Sequence, residues 1–334
     1  MKPRVFVVQP VPDVALRMLR EVAEVTAYPH LDRQISTDEL VANAKRCDYL
    51  FGMGDTVIPA EVINANPDLK GISLVSRKPG NIDLEAARAR KLPVAILHPA
   101  DAIYAQICKV TGDLTISMLL ALAYRLVDAD RYTRAGQFKQ EQTLALMGVG
   151  CPGKTVGLIG LGLVAEFMVP RLHPFEMTVL YTKRTRLPLE RERELHVEWA
   201  PGKDDVLRRS DYVCIACDYN PSTHLMIGAR ELALMKPTAC LINTARGRIV
   251  DEQALVKALR DRTIAGAALD VYWNEPPVTH DPEPNPDLYE LPNVILAPHN
   301  GGATWDVRGE MTASCARNIV AWIHGERPPG LLQS

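Results

Sequence analysis

The feature that most constrains the fold of this chain is a glycine-rich turn between two short apolar runs. The first run covers residues 155–159 (TVGLI) and the second covers residues 177–181 (MTVLY). Between them lie the turn GLGLVA at residues 160–165 and a helix-like segment that ends near Leu172. Strand, tight turn, helix and strand in this order form the βαβ unit that holds the diphosphate of a dinucleotide.

Each small residue of the turn has a physical reason to be there. Gly160 permits the tight turn, Gly162 lets the backbone approach a pyrophosphate, and Ala165 is small enough for helix and strand to pack. The N–H groups and the dipole at the helix start attract phosphate. An isolated Gly-x-Gly-x-x-Ala is also compatible with a plain tight turn, but the two flanking strand-like runs favour dinucleotide binding.

Length and charge exclude several classes of protein. The chain has 334 residues, enough for two domains, and a net charge of −2, which gives no reason to expect a nucleic acid or an acidic membrane as partner. The apolar run at the N-terminus is too short for a signal peptide, and the apolar stretch 114–124 is too short to span a bilayer. We therefore expect a cytoplasmic protein without a membrane partner.

The cysteines do not indicate a disulfide framework or a metal site. Seven are scattered along the chain, which suits reduced thiols. Cys214 and Cys217 have C-x-x-C spacing, but no second pair of cysteines or histidines follows at zinc spacing. We interpret them as strand residues and predict no metal.

The alternation of strands and helices predicts an α/β protein with two doubly wound parallel sheets. The first hundred residues alternate short apolar runs with helical segments, and their order resembles a flavodoxin-like sheet. A long apolar helix is predicted from Thr111 to about Ala135. The Rossmann pattern then continues from the glycine turn to an apolar run at 294–297, and a last helix is predicted from Thr304 to about His324.

Polar residues cluster at three predicted strand ends. The segments are 243–251 (NTARGRIVD), 269–276 (LDVYWNEP) and 297–304 (APHNGGAT). Ligands of open α/β sheets bind outside the carboxyl ends of the strands. All three segments are therefore expected to face the cofactor crevice.

These motifs, in this order and spacing, resemble the D-isomer-specific 2-hydroxyacid dehydrogenase family, including its glyoxylate and hydroxypyruvate reductases. The resemblance covers nearly the whole chain. It implies a substrate domain of residues 1–105 plus 300–334 and an inserted NAD(P)-binding Rossmann domain of residues 106–299. It also implies cofactor contacts at Gly160, Gly162, Leu163, Val164, Thr182, Lys183, Arg184, Cys217, Thr223, Thr244, Ala245, Arg246, Asp270, His299 and Gly301.

The chemistry of such a reaction accounts for the catalytic candidates. Reduction of a 2-oxo acid needs a hydride donor, a proton donor for the carbonyl oxygen and a cation for the carboxylate. His299 suits the proton transfer because imidazole titrates near neutral pH, and Glu275 is expected to pair with it and favour its charged form. Arg246 offers a fork of donors to a carboxylate. Asp270 is expected to bind the nicotinamide carboxamide or fix the ring, as the family pattern implies.

Each catalytic candidate also has a structural interpretation. Taken alone, Arg246 suits a surface salt bridge, Glu275 a loop cap, and His299 a satisfied loop histidine. The occurrence of all three at strand ends of one crevice favours the catalytic interpretation.

The end of the second Rossmann strand predicts a preference for NADP(H) over NAD(H). NAD-binding domains usually carry an acid there for the ribose 2′-hydroxyl. Here the position is Thr182, followed by Lys183 and Arg184, which would attract a 2′-phosphate. Asp218, near the expected adenine pocket, weakens this expectation, and the alternative is that the two cations are solvated and both cofactors bind.

The substrate side departs from the family pattern. The loop that usually binds the carboxylate reads Ser76-Arg77-Lys78 here, which adds two positive charges. They predict either a substrate with a second acidic group or side chains that point to solvent. The segment 99–114 is also about five residues longer than the family pattern.

The leading hypothesis is an NAD(P)-dependent D-2-hydroxyacid dehydrogenase that acts on a small 2-oxo or 2-hydroxy acid. A dinucleotide-sensing, corepressor-like binding protein on the same fold is the alternative, and a hydrolase with permanently bound NAD is a third. The family resemblance also implies a homodimer formed through the cofactor domain.

Overall fold

The computed structural model describes residues 2–77, 79–98, 102–141, 144–275 and 284–332. The chain divides into two compact units. The first contains Met1–Gln106 and Ala303–Ser334, and the second contains Ile107–Glu275 and Glu283–Gly302. Residues 300–302 thus lie in the second unit. The roles predicted for the two domains stay predictions at this point.

The first unit is built on a five-stranded parallel sheet. Its order is β2-β1-β3-β4-β5, the flavodoxin-like order that the sequence predicts. The strands are β1 (Arg4–Val7), β2 (Glu24–Ala27), β3 (Tyr49–Met53), β4 (Gly71–Val75) and β5 (Val94–Ile96). The helices are α1 (Asp13–Val22), α2 (Thr37–Ala44), α3 (Ala60–Asn64), α4 (Leu84–Ala89) and the terminal α12 (Trp305–Ile323).

Local signals set the helix starts in this unit. Ser36 caps α2 in a reciprocal capping box with Glu39, and Asp83 caps α4 by accepting a hydrogen bond from the Ala86 N–H. Every residue of β3 and β4 is buried, as expected for central strands of a parallel sheet covered on both faces. Asn318 of α12 ties the terminal helix to this sheet, because its side-chain amide donates to the Ser73 hydroxyl at 3.2 Å.

The second unit is built on a seven-stranded parallel sheet of order β12-β11-β10-β9-β6-β7-β8. The strand order reverses between β6 and β9, which is the topological switch point of a Rossmann fold. The strands are β6 (Thr155–Ile159), β7 (Thr178–Thr182), β8 (Val197–Trp199), β9 (Tyr212–Ile215), β10 (Cys240–Asn243), β11 (Gly266–Leu269) and β12 (Val294–Leu296). The predicted fold class is confirmed.

The remaining helices belong to this unit, except that α5 begins in the first. They are α5 (Ile103–Ala123), α6 (Leu126–Arg134), α7 (Leu163–Leu172), α8 (Leu189–Leu195), α9 (Lys203–Arg209), α10 (Ala229–Leu232) and α11 (Glu252–Arg260). The prediction of one helix from Thr111 to Ala135 is wrong. Arg125 adopts the left-handed conformation, with φ of 50°, and separates α5 from α6.

Helix α5 begins eight residues before the predicted start at Thr111. With 21 residues, it is long and apolar enough to cross a membrane, by length and composition alone. Its apolar residues Ile116, Met118 and Leu119 are nevertheless buried in the core around β6 and α7. Core helices can have the same length and composition, so these two properties do not by themselves indicate a membrane span.

Candidate active site

The glycine turn leaves the start of α7 open. Gly160 has φ of +101°, and a Cβ placed there would lie 2.4 Å from the Ala216 carbonyl oxygen, so only glycine fits. Helix α7 begins directly after Gly162 without a side-chain cap. A Cβ at Gly162 would meet no atom within 4 Å. The free backbone donors and the open space above them fit the diphosphate of a dinucleotide.

The residues at the end of β7 place positive charge beside this turn. The Gly160 N–H donates to the Thr182 carbonyl at 2.8 Å, which joins the turn to the end of the strand. The Lys183 ammonium donates to the Leu161 carbonyl at 3.0 Å, and Arg184 is exposed. The carbonyl contact keeps the Lys183 charge next to the glycine turn.

His299 and Glu275 form an ion pair in the second unit. The imidazole Nδ1 lies 3.4 Å from Glu275 Oε2, and about half of the His299 side chain is exposed. The same carboxylate oxygen accepts a hydrogen bond from the Tyr272 N–H at 3.2 Å. Glu275 is therefore fixed by the backbone on one side and faces the imidazole on the other.

The loop that carries His299 is held by Asp270. The two carboxylate oxygens accept hydrogen bonds from the Asn300 and Gly301 N–H groups at 2.6 and 2.9 Å. Asp270 is buried, and this burial raises the pKa of its carboxyl group. His299 itself has φ of +56°, a conformation that non-glycine residues rarely adopt without support. Sequence reasoning assigned Asp270 to the cofactor and missed this positioning contact.

Arg246 lies on the loop after β10, which packs against the backbone of Tyr272. Asn243 at the end of β10 shapes the loop: its amide donates to the Arg246 carbonyl at 3.0 Å and its oxygen accepts from the Ala245 N–H at 3.1 Å. A Cβ on Gly247 would lie 2.0 Å from the Tyr272 carbonyl oxygen, so the two backbones approach as closely as glycine allows. The Arg246 guanidinium remains exposed.

Further contacts join these segments. The Tyr272 hydroxyl donates to the Ala297 carbonyl at 2.9 Å, which links the ends of β11 and β12. The hydroxyls of Thr244 and Thr115 lie 2.7 Å apart. The structure thus brings the three predicted strand-end segments next to one another.

The other predicted cofactor residues fall at the same edge of the sheet. Cys217 follows β9, and burial raises the pKa of its thiol to about 11. Thr223 shapes the turn after β9, since its hydroxyl donates to the Asp218 carbonyl at 2.9 Å. Leu163 and Val164 form the first residues of α7.

The predicted substrate residues lie in the first unit. Ser76 and Arg77 follow β4, and the Arg77 guanidinium stacks over the Tyr104 ring at 3.9 Å from its centre. Lys78 lies outside the described residues, as do residues 99–101 of the lengthened segment.

The second unit contains groups that could bind an anion and transfer a proton. It offers an imidazole paired with a carboxylate, an exposed guanidinium and an open helix N-terminus at the carboxyl edge of one sheet. Among the described residues, no cluster of three or more histidine, cysteine, aspartate or glutamate side chains suits a metal ion.

Comparison with known proteins assigns the family. Residues 116–301 match the model of the D-isomer specific 2-hydroxyacid dehydrogenase, NAD binding domain. A glyoxylate reductase of Thermococcus gammatolerans is 39% identical over 336 residues, which cover 99% of this chain and 96% of that protein. The chain belongs to the D-isomer specific 2-hydroxyacid dehydrogenase family.

Solved structures agree with this assignment. A crystal structure of a Thermus thermophilus protein superposes with a TM-score of 0.84 at 34% identity and covers 99% of this chain and 100% of its own. The NADPH-dependent glyoxylate/hydroxypyruvate reductase of Sinorhizobium meliloti, in complex with citrate, has a TM-score of 0.76 at 27% identity, with 99% and 98% of the two chains covered.

The dehydrogenase is an NAD(P)-dependent oxidoreductase of 2-oxo and D-2-hydroxy acids and binds a nicotinamide dinucleotide. The comparisons give no support to the alternative of a dinucleotide-sensing binding protein.

Substitution of the two glycines of the turn should affect different properties, namely binding for Gly162 and stability for Gly160. Gly162→Ala should cost less than about 1 kcal/mol of folding free energy, because its Cβ enters open space. It should nevertheless weaken dinucleotide binding by about tenfold, because the methyl group occupies the path of the diphosphate. Gly160→Ala should destabilise the fold by more than about 2 kcal/mol.

Urea unfolding and calorimetric titration with the dinucleotide measure both effects. Unchanged affinity in Gly162→Ala would show that the cofactor does not approach the backbone at this point.

Proposed function

We propose that His299, Glu275 and Arg246 carry the reaction of this dehydrogenase. His299 donates a proton to the carbonyl oxygen of the 2-oxo acid and accepts it in the reverse direction. Glu275 orients the imidazole through its contact with Nδ1. Arg246 binds the substrate carboxylate through its guanidinium. The nicotinamide supplies or receives the hydride.

The observation that carries this proposal is the His299–Glu275 contact of 3.4 Å on a loop held by Asp270. The exposure of half of the His299 side chain leaves the imidazole accessible to a small acid.

Glyoxylate and hydroxypyruvate are the proposed small substrates. Support comes from the names of the relatives, among them the Thermococcus gammatolerans and Sinorhizobium meliloti reductases. Arg77 adds a proposed preference for acids with a second acidic group. Its stacking on Tyr104 at 3.9 Å limits the freedom of the guanidinium, which lowers the entropy lost when it binds an anion.

NADP(H) is the proposed preferred cofactor. Thr182 stands where an acid would repel a 2′-phosphate, and Lys183 is held beside the glycine turn by the Leu161 carbonyl. A crystal structure of the Sinorhizobium meliloti reductase contains NADP and malonate. Arg184, exposed next to Lys183, supplies a second cation.

A cytoplasmic homodimer is the proposed assembly. The described residues 124–141 and 144–150 follow α5 in the second unit, and they expose the large apolar side chains of Tyr124, Leu126, Phe138, Leu144, Met147 and Val149. So many exposed apolar groups on one segment indicate a surface that a partner covers. A second copy of this chain is the proposed partner.

A panel of 2-oxo acids tests the reaction. Purified enzyme should oxidise NADPH with glyoxylate or hydroxypyruvate, and His299→Ala should lower kcat/KM by about 10²–10⁴-fold because it removes the proton donor. His324→Ala, at the C-terminal end of α12, is the matched control. Full activity of His299→Ala would exclude His299 as the acid.

The same panel tests Arg77. Arg77→Ala should raise KM for oxaloacetate and 2-oxoglutarate while KM for glyoxylate and pyruvate stays the same. Equal changes for acids with one and two acidic groups would remove the proposed role.

Removal of the two cations after β7 tests cofactor choice. The variant Lys183→Gln/Arg184→Gln should lose about 10–100-fold in kcat/KM with NADPH and change little with NADH, because only NADPH carries the 2′-phosphate. Wild-type enzyme that uses NADH with much higher efficiency than NADPH would contradict the preference itself.

Light scattering after size exclusion tests the dimer. The wild-type protein should elute with twice the mass of one chain, and Leu144→Asp/Met147→Asp should elute as a monomer, because charges enter the apolar surface. Leu31→Asp, at an equally exposed leucine of the first unit, is the control and should remain dimeric. A monomeric wild-type protein would exclude this assembly.

A further inference from the structure

A buried carboxylate lies behind the loop that follows β7. The side chain of Glu192, on α8, is only 8% exposed. The Arg186 guanidinium donates to both of its oxygens, with Nε and Nη2 each at 2.8 Å, and the Tyr181 hydroxyl donates to Oε1 at 2.6 Å. The proposed catalytic groups make no use of this network.

The network fixes both ends of the loop 183–187, which follows β7. Tyr181 is fully buried in β7, and its hydroxyl also accepts a hydrogen bond from the Leu187 N–H at 3.0 Å. Arg186 lies within the loop and is held to α8. Lys183 and Arg184 lie between Tyr181 and Arg186, so the chain is held in place on both sides of these two cations.

The protonation states keep this arrangement constant near neutral pH. The hydrogen-bonded Arg186 lowers the pKa of Glu192 to about 2, so the carboxylate stays charged. Burial and the neighbouring Glu192 raise the pKa of Tyr181 to about 12, so its hydroxyl stays a donor.

The three cations of the loop, Lys183, Arg184 and Arg186, have different environments. Arg186 is neutralised by Glu192, Lys183 is held at the glycine turn, and Arg184 is exposed. A loop that is already ordered loses less conformational entropy when it binds an anion than one that must be ordered by it. The order imposed by the network thus favours binding at Lys183 and Arg184.

We propose that Tyr181, Glu192 and Arg186 are positioning residues for recognition of the cofactor 2′-phosphate. They fix the loop so that Lys183 and Arg184, and not Arg186, meet the phosphate. This inference rests on the proposed preference for NADP(H) and adds the residues through which that preference is maintained.

A role in stability alone makes a different prediction. If the network only joins α8 to the sheet, its loss lowers the melting temperature and affects both cofactors equally. If it positions the loop, its loss changes the ratio of the two affinities. The ratio of the dissociation constants for NADP⁺ and NAD⁺ therefore separates the two roles.

Two variants of the full-length chain test the proposal. Arg186→Leu/Glu192→Leu removes the charged pair as a unit and avoids an unpaired buried charge. Tyr181→Phe leaves that pair intact and removes only the hydroxyl, so it also provides the test if the double variant does not fold. Glu198→Gln/Arg209→Gln removes an exposed ion pair between β8 and α9 and is the matched control.

Calorimetric titration measures binding without turnover. The probes are NADP⁺ and NAD⁺, together with adenosine 2′,5′-bisphosphate and adenosine 5′-monophosphate, which isolate the contribution of the phosphate. Both variants should bind NADP⁺ about tenfold more weakly, equivalent to about 1.4 kcal/mol, with NAD⁺ changed by less than about twofold. The control should match the wild-type protein.

Three other results of the titrations would contradict the proposal. Wild-type protein that binds both dinucleotides equally would overturn the NADP(H) preference and this inference with it. A wild-type preference that persists in both variants would overturn only the positioning role. Equal weakening of both dinucleotides would also overturn it and would assign the network to stability.

Discussion

The carboxylate of Asp270 accepts two backbone hydrogen bonds from the loop after β12, and the geometry of the candidate active site depends on them. Asn300 and Gly301 donate these bonds, and the residue just before them is His299, whose backbone has a positive φ. A buried carboxylate without donors is costly, so the interaction stabilises the acid as well as the loop. The ion pair of His299 with Glu275 is built on this support.

The loop after β7, in the same unit, is also held by hydrogen bonds to a buried carboxylate. Glu192 is buried, as Asp270 is, and it binds donors that belong to a segment following a strand. In both cases a short, charged or strained loop is held by a carboxylate that lies behind it. All strands of the parallel sheet have their carboxyl ends at the same edge, and the loops that follow them therefore lie close together.

The dinucleotide turn differs from these two loops because it is determined locally. Gly160 accommodates a positive φ and the nearby Ala216 carbonyl, and Gly162 leaves the helix start open. Both properties follow from the absence of a Cβ, so a short stretch of sequence is sufficient to predict them. The same holds for the capping box of α2, in which Ser36 and Glu39 are three residues apart.

The sequence by itself determined the α/β class with its parallel sheets, the glycine turn and the family to which the chain belongs. These depend on local periodicity and on motifs with fixed spacing. Only the tertiary structure showed where the helix after Ile103 breaks. The break lies at Arg125, whose guanidinium donates to the carbonyl of Ala145, 20 residues away. It also revealed strand β8, whose three residues are too few for a clear alternation. The positioning contacts of Asp270, with partners 30 and 31 residues away, and of Glu192 join residues that no sequence period relates. They arise from the packing of the sheet, and therefore the sequence predicts the chemical groups of the candidate site but not what holds them in place.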